Sequence, residues 1–474
     1  MRDLRPFYAP SSVAVVGAAE RATSSGGAVL QNLQISGYPG RIVPVNPKGG
    51  EMFGFKAATS LAQVGEPCEL AVIVIRPDLI PAAIEEAAAT GHKNLLILPG
   101  GFAEAGAEGK ARDAAVRALA SAKGLTIAGP NCAGIISLKA GFRFGATFLR
   151  DMPPGGGLAL VSQSGALAEE VIAAANDHKI GFGTIVTVGN AMHLGVEDHL
   201  EYLGQQDECS AVFLYVESIE DPTRFRRIAR SVARDKPVVL LLGGRTAIGG
   251  SAAAAHTGAV PNDEPAQSAF ADECCALRVT SLRRLMLAAK GFGFFPQGFG
   301  RRALILSNSG GPGVLATDAA TVEGLELPAL PAAMAAELKA KLPGEASVAN
   351  PLDLLADARE DRFGMTLDLA LAHGAGTYDA ILGIHVVPFM VDADPVVARL
   401  TQDAAKLPRM HAMMGTLPDK AAWFARLEAA GIPAFNDVEA MAECAGLLAR
   451  YPALKQSAAA PEPNRPPALK GRGG

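Results

Sequence analysis

Short, nearly continuous apolar runs recur along the chain. Each is closed by glycine, serine or asparagine and followed by an alanine-rich stretch of helical composition. In the first third the runs are SVAVVG (12–17), RIVPVN (41–46), LAVIVI (70–75), NLLILPG (94–100) and LTIAGPN (125–131), with segments such as PAAIEEAAATGH between them. Strands apolar on both faces, alternating with helices, predict a parallel sheet covered on both sides. The pattern restarts at GLALVSQSGAL (157–167) and continues through GTIVTVG, AVFLYVES and KPVVLLLGG. After KGFGFFPQGFG (290–300), which reads as a hinge or linker, it begins again with RRALILSNSGGPGVLATDAA, passes DAILGIHVV (379–387) and ends near Tyr451. The expected architecture is α/β, three parallel-sheet units in a row. The last stretch, QSAAAPEPNRPPALKGRGG (456–474), has the composition of a disordered tail or linker stub.

Composition narrows the class. The 474 residues are 49% hydrophobic, and at roughly 100–200 residues per domain they suggest about three domains. A net charge of −5 leaves no basic footprint, so nucleic acid is not expected as a partner. The six cysteines form no C-x-x-C pair and no zinc spacing, which favours free thiols in a reducing compartment. The start MRDLRPFYAPSS lacks the apolar core of a signal peptide, and no apolar run approaches the ~20 residues of a membrane span. A cytoplasmic protein with no membrane association is the expectation.

Two turns are candidates for anion binding. ALVSQSGAL and LILSNSGGPGV each lead an apolar strand through S-x-S-G into a helix. Such a turn presents unpaired backbone N–H groups at the positive end of the helix dipole. The residues are Ser162, Ser164 and Gly165 in the first turn, and Ser307, Ser309, Gly310 and Gly311 in the second. Helix capping by serine and a glycine-permitted bend would produce the same pattern without any ligand.

The first unit invites a dinucleotide reading and departs from it. Gly17 is followed by Ala18 and Ala19, so G-x-G-x-x-G is absent. The second strand ends PVNPKGG, with Asn46 and Lys48 where an NAD site expects an acid for the ribose hydroxyls. A lysine there suits a phosphorylated ribose, so a Rossmann-like domain for another nucleotide is expected. In GNAMHLGVEDH, the residues His193, Glu197, Asp198 and His199 match no metal motif, and no metal site is expected. Trp423 reads as packing.

The stretch SAAAAHTGAV (251–260) sets His256 among small residues, just downstream of GGRTAIGG. Taken in order, SVAVVGA, YPGRIVPVNPK, LAVIVI, GGFAEAG, GPNCAGI, ALVSQSGALAE, VTVGN, LYVES, KPVVLLLGGRT, HTGA, SNSGGPGVLA and NPLD resemble the nucleoside-diphosphate-forming acyl-CoA synthetases, relatives of succinyl-CoA synthetase. The resemblance implies a Rossmann-like CoA-binding domain over 1–148 and two flavodoxin-like ligase domains over 152–292 and 298–455. It implies a cycle in which a carboxylic acid, CoA and a nucleoside triphosphate meet through an acyl phosphate and a phosphohistidine. His256 corresponds to the family's histidine, and Glu217, in LYVES, to the acid that orients it, with Glu220 and Asp221 as competitors. The phosphate would sit between the helix starts at 162–165 and 307–311. CoA would contact Gly17 with the following loop through Ala18 and Ser25, then Asn46, Lys48, Ile75, Arg76, Gly129, Pro130 and Asn131. Cys132, in GPNC, reads as a packed thiol rather than a nucleophile.

The family also uses an ATP-grasp module, with ATP or GTP and Mg, to phosphorylate the histidine. No segment here resembles one. The resemblance therefore implies a β subunit in a hetero-oligomer, a fused enzyme of which this is one part, or loss of triphosphate-dependent synthesis. The sequence departs from the family in placing alanines ahead of His256 and AMHLGVEDH after GN. Two readings follow: a catalytic α-type subunit, and a non-catalytic CoA or acyl-CoA sensor of the same fold.

Overall fold

The computed structural model describes residues 2–21, 23–246, 248–251, 263–374, 376–388, 392–415 and 417–461. By internal contacts the chain divides into two compact units. One comprises the residues up to Leu282 together with those from Ser457 onward; the other is Arg283–Gln456.

The first unit holds two sheets. The first is wholly parallel, with β1 (Ser12–Val16), β2 (Arg41–Val45), β3 (Leu70–Ile73), β4 (Asn94–Ile97) and β5 (Thr126–Ala128) in the order β2-β1-β3-β4-β5. Every residue of β3 is buried, as a strand covered on both faces requires. The second sheet contains β6 (Gly134–Lys139), β7 (Phe142–Thr147), β8 (Leu158–Ser162), β9 (Phe182–Thr187), β10 (Ala211–Val216), β11 (Val238–Leu242) and β12 (Leu277–Val279). Its order is β12-β11-β10-β8-β9-β6-β7. Strands β8 to β12 are parallel, while β6 and β7 form a hairpin whose first strand pairs antiparallel with β9, Ser137 opposite Thr184. Residues 134–147, at the end of the segment expected to bind CoA, are thus strands of the neighbouring sheet.

The second unit is built on a parallel sheet of β13 (Ala303–Ser307), β14 (Leu352–Asp353), β15 (Ala380–Val386), β16 (Arg409–Met414) and β17 (Ala434–Phe435), in the order β14-β13-β15-β16-β17. Counting only parallel strands, all three sheets run 2-1-3-4-5. In this doubly wound arrangement a crevice opens at the carboxyl ends between strands 1 and 3, where ligands bind. A helix follows the first parallel strand each time: α1 (Ser25–Ile35), α2 (Gly165–His178) and, in the second unit, α5 (Gly310–Val322). Two more helices of the first unit matter below, α3 (Val196–Gly204) and α4 (Pro222–Ala233).

Two expectations about connecting segments are corrected. The glycine-rich run at 290–300 is not a linker throughout, because a helix spans Leu282–Phe294. Gly291 serves packing: a Cβ there would lie 2.8 Å from Cys444 Sγ and 3.0 Å from Leu448 Cδ1, on the helix Val438–Ala459. The tail also begins later than its composition suggests. Arg230 donates to the carbonyls of Ser457 (2.9 Å) and Ala460 (3.1 Å), and Arg234 to that of Ala458 (3.0 Å), which clasps this segment onto α4. Residues from 462 onward lie outside those described. No helix among the described residues is long and apolar enough to cross a membrane.

Candidate active site

At the β1/β3 crevice Gly17 has φ +89°, and a Cβ there would lie 2.3 Å from Val74 O. Only glycine allows the chain to turn this tightly against β3. A Cβ at Gly26 would in turn meet Gly17 O at 2.2 Å, so α1 starts directly on the turn. Ser24 caps it, its Oγ accepting from Gly27 N at 3.1 Å. A cavity of about 640 Å³ opens here, lined by Gly17 and Ser25, by Asn131, and by Gly165 and Ala166 at the start of α2. Backbone donors from two helix starts therefore face one volume, of a size common for ligand pockets (~300–1,000 Å³).

The remaining residues expected at CoA lie outside that lining. Asn46 donates to Ala18 O (2.7 Å) and accepts from Lys48 N (2.9 Å), so its amide shapes the bend after β2. Ala18 is buried in the core and Lys48 is exposed on the bend. Ile75 is half-buried. Arg76 pairs at the surface with Asp78 at 3.0 Å. Gly129 and Pro130 are buried and joined by a cis peptide bond.

The loop after β5 interlocks with the loop after β9. Asn190 N and Met192 N donate to Pro130 O (2.9 Å) and Gly129 O (2.8 Å). Asn131 donates to Asn190 Oδ1 (3.2 Å), and Asn190 to Glu104 Oε2 (2.5 Å). Burial works to raise the Glu104 pKa, but donors from Asn190 and from backbone amides at Gly101 and Phe102 outweigh it and hold the carboxyl below its usual range. Cys132 lines the cavity, yet burial pushes its thiol up to about 12, so it stays protonated.

The two S-x-S-G turns share one hydrogen-bond pattern. Ser162 Oγ donates to Ser164 O (2.7 Å) and accepts from Ser164 N (3.1 Å). Ser307 Oγ does the same with Ser309 O (2.7 Å) and Ser309 N (3.0 Å). Ser162 and Ser307 are buried, so their hydroxyls build the turn. Ser164 caps α2 through Leu167 N (3.3 Å), whereas Ser309 makes no side-chain cap at α5. Gly310 lies close to Asp353, whose Oδ2 would be 3.2 Å from a Cβ there, while Gly311 has open space around it.

Glu217 follows β10, half-buried at the β8/β10 crevice, and accepts a hydrogen bond from Tyr215 OH at 3.1 Å. A Cβ at Gly243, where the GGRT loop leaves β11, would lie 3.5 Å from Glu217 Cγ. The chain therefore leaves β11, towards His256, beside Glu217; His256 itself lies outside the described residues. Of the competing acids, Asp221 caps α4 by accepting from Arg224 N (2.9 Å), and Glu220 is exposed.

Comparison with known proteins decides the family. Residues 11–137 match the family described as "CoA binding domain", and 155–292 the "Succinyl-CoA ligase like flavodoxin domain". The α subunit of acetate–CoA ligase (ADP-forming) II from Pyrococcus furiosus is 32% identical over 449 residues, 93% of this chain and 96% of that subunit. The chain belongs to the NDP-forming acyl-CoA synthetases, a family of acid–thiol ligases, and is of the α-subunit type. The acetate–CoA ligase (ADP-forming) I of Archaeoglobus fulgidus is 35% identical over 77% of this chain, which spans only 52% of that longer protein. Among solved structures, dinucleotide-forming acetyl-coenzyme A synthetase 1 of Ca. Korarchaeum cryptofilum, in complex with phosphate and ADP, superposes with a TM-score of 0.89 at 28% identity. That match covers 96% of this chain and 98% of the other.

Within this synthetase fold the side chains of GNAMHLGVEDH turn to structural tasks. His199 is buried with its Nδ1 2.7 Å from Tyr8 OH, and burial brings its pKa down to about 4. Asp198 and Glu197 engage Arg224 at 2.7 and 3.4 Å, and His193 Nδ1 accepts from Ile127 N at 3.2 Å. Among the described residues no group of three or more such side chains could hold a metal. Trp423 is buried and donates to Asp394 at 3.1 Å. The cavity also exposes a residue that the sequence does not single out. Phe148 lines it at 39% exposure, and nothing in GATFLRD signals the role. Away from the cavity, Gln163 of the first S-x-S-G turn accepts from the amides of Glu217 and Ser218.

Proposed function

We propose that this chain is the α-type subunit, or the corresponding part, of an NDP-forming acyl-CoA synthetase. It interconverts acyl-CoA, phosphate and NDP with a carboxylic acid, CoA and NTP. In the acyl-CoA-consuming direction phosphate attacks the thioester carbonyl and CoA leaves as thiol, giving an acyl phosphate. A ring nitrogen of His256 then attacks phosphorus and the carboxylate leaves. NDP takes the phosphoryl group on an ATP-grasp module with Mg, supplied by a partner subunit or a fused segment. The work is cytoplasmic, where six buried cysteines stay as free thiols.

One observation carries this reading: the single cavity bordered by the Gly17 turn and by the start of α2. The first supplies backbone donors suited to CoA phosphates, and the second a positive helix end for the phosphate under attack. Glu217, beside Gly243 where the chain leaves β11 towards His256, would hold the imidazole in the tautomer that keeps the attacking nitrogen unprotonated. In the second unit the start of α5, with open space at Gly311, is a further candidate anion site.

The test needs no nucleotide. The chain is incubated with radioactive phosphate and a panel of acyl-CoAs, beside a His256→Ala variant. Acid-labile, alkali-stable label on the wild type alone is the expected result, and the fastest thioester identifies the acid. Equal label on the variant would remove His256 from the mechanism. Acyl-CoA binding without label from any thioester would favour the sensor instead.

A further inference from the structure

The two S-x-S-G turns differ in what their middle residue holds. In the second unit Asn308 Nδ2 donates to Val386 O (2.9 Å) and its Oδ1 accepts from Val386 N (2.8 Å). The amide ties the turn to the end of the third parallel strand, which is apolar there. In the first unit Gln163 occupies the same place with one more methylene, and it reaches past the strand end. Its Oε1 accepts from Glu217 N (2.6 Å) and Ser218 N (3.0 Å), and its Nε2 donates to Ser218 O (2.9 Å). Three hydrogen bonds from one side chain thus fix the backbone that bears Glu217 to the turn that opens α2. A second support acts on the carboxylate itself, since Tyr215 OH donates to Glu217 Oε1 at 3.1 Å. Burial, with the charge of Glu217, raises the Tyr215 pKa, so the phenol remains a donor.

We infer that Gln163 and Tyr215 are positioning residues for Glu217. Gln163 sets the distance between its backbone and the phosphate turn, and Tyr215 sets the direction of its carboxylate. The inference rests on the phosphohistidine reading above. An orienting acid displaced by about 1 Å costs on the order of 10²-fold in rate, because attack geometry degrades faster than binding. Neither side chain lines the cavity assigned to CoA, so their loss should leave thioester affinity intact. That separation distinguishes positioning from general support of the fold.

The experiment uses the full chain, radioactive phosphate and the acyl-CoA that labels wild type fastest. The rate of labelling and the half-saturating acyl-CoA concentration are measured for wild type, Gln163→Met and Tyr215→Phe. Methionine keeps the length of glutamine without its hydrogen bonds, and Tyr215→Phe removes one hydroxyl and leaves the backbone frame alone. Labelling about 100-fold slower in Gln163→Met and about tenfold slower in Tyr215→Phe is expected, each with half-saturation within about twofold of wild type. Wild-type rates in both variants would overturn the inference and leave the phosphohistidine reading standing. Parallel loss of rate, half-saturation and melting temperature would also overturn it, since the two residues would then be general scaffolding. No label on wild type would overturn the phosphohistidine reading itself, and this inference with it.

Discussion

Gly189 packs directly against Pro130: a Cβ at position 189 would lie 2.2 Å from the Pro130 carbonyl oxygen. It would also lie 2.4 Å from Asn131 O, and Gly189 has φ +59°. The loops after β5 and β9 therefore meet backbone to backbone, beside the cavity. Gly189→Ala should cost at least about 1 kcal/mol from the left-handed backbone alone, before any displacement of the Pro130 loop. The expected outcome is a lower melting temperature together with weaker acyl-CoA binding, measured by calorimetry. Unchanged binding would mean that this contact has no bearing on the cavity.

Glu217→Gln removes the charge and keeps the shape. If Glu217 orients His256, labelling from acyl-CoA and phosphate should fall by about 10²-fold with half-saturation unchanged. Glu220→Gln, changed at an exposed position, should label at the wild-type rate. The opposite ranking would reassign the acid.

Ser164→Ala deletes the cap of α2, which accepts from Leu167 N. A cap of this type contributes about 1 kcal/mol, and its loss also loosens the helix start that borders the cavity. Modest destabilisation in urea, with a raised half-saturating phosphate concentration in the labelling assay, is expected.

Arg230 is buried and bonds Ser457 O, Ala460 O and Cys275 Sγ, the last at 3.0 Å. Arg230→Met would leave the two carbonyls without this donor, at a cost of about 2 kcal/mol. Limited proteolysis should then cut near 457–461 at protease concentrations that spare the wild type. An unchanged digestion pattern would show that Arg234 holds the segment without help.

His385 and His411 lie buried on adjacent strands β15 and β16, and among the described residues neither His385 nitrogen nor His411 Nε2 has a hydrogen-bond partner. Burial lowers His385 to about 4; burial, His385 and Arg409 lower His411 to about 3. Between the unfolded value near 6.5 and these folded values, the unfolded chain binds more protons. Stability is therefore full above about pH 6.5 and falls as the pH drops towards 4, by about 1.4 kcal/mol per pH unit for each ring. Urea unfolding followed from pH 7 to 4.5 should show this slope for the second unit, flattened in His385→Leu. A pH-independent midpoint would contradict it.

The parallel strands were legible because burial on both faces leaves continuous apolar runs: AVFLYVES contains β10, and KPVVLLLGG contains β11. RMHAMM, which forms β16, carries no such signal. Its Arg409 is buried only because the carbonyls of Leu400 and Gln402 accept from the guanidinium at 3.0 and 2.6 Å, and those partners are set by tertiary structure. At the candidate site, turn chemistry pointed to Ser164 and Gly165, and the family resemblance to Gly17. It did not disclose that the Asn46 amide would be spent on Ala18, nor that Gln163 would grip the strand beyond it. Which atom meets which across a sheet depends on strand order, and strand order is not written locally.

The hairpin of β6 and β7 bears on how the gene is cut. A fragment divided at 148 would carry both strands away with the first sheet and leave β9 as a bare edge, its unpaired amides open to intermolecular pairing. The complementary piece would lose Ala133 and Gly134, whose amides both donate to Thr187 Oγ. Expression fragments should break before Ala133 instead, so that the hairpin stays with the sheet it completes.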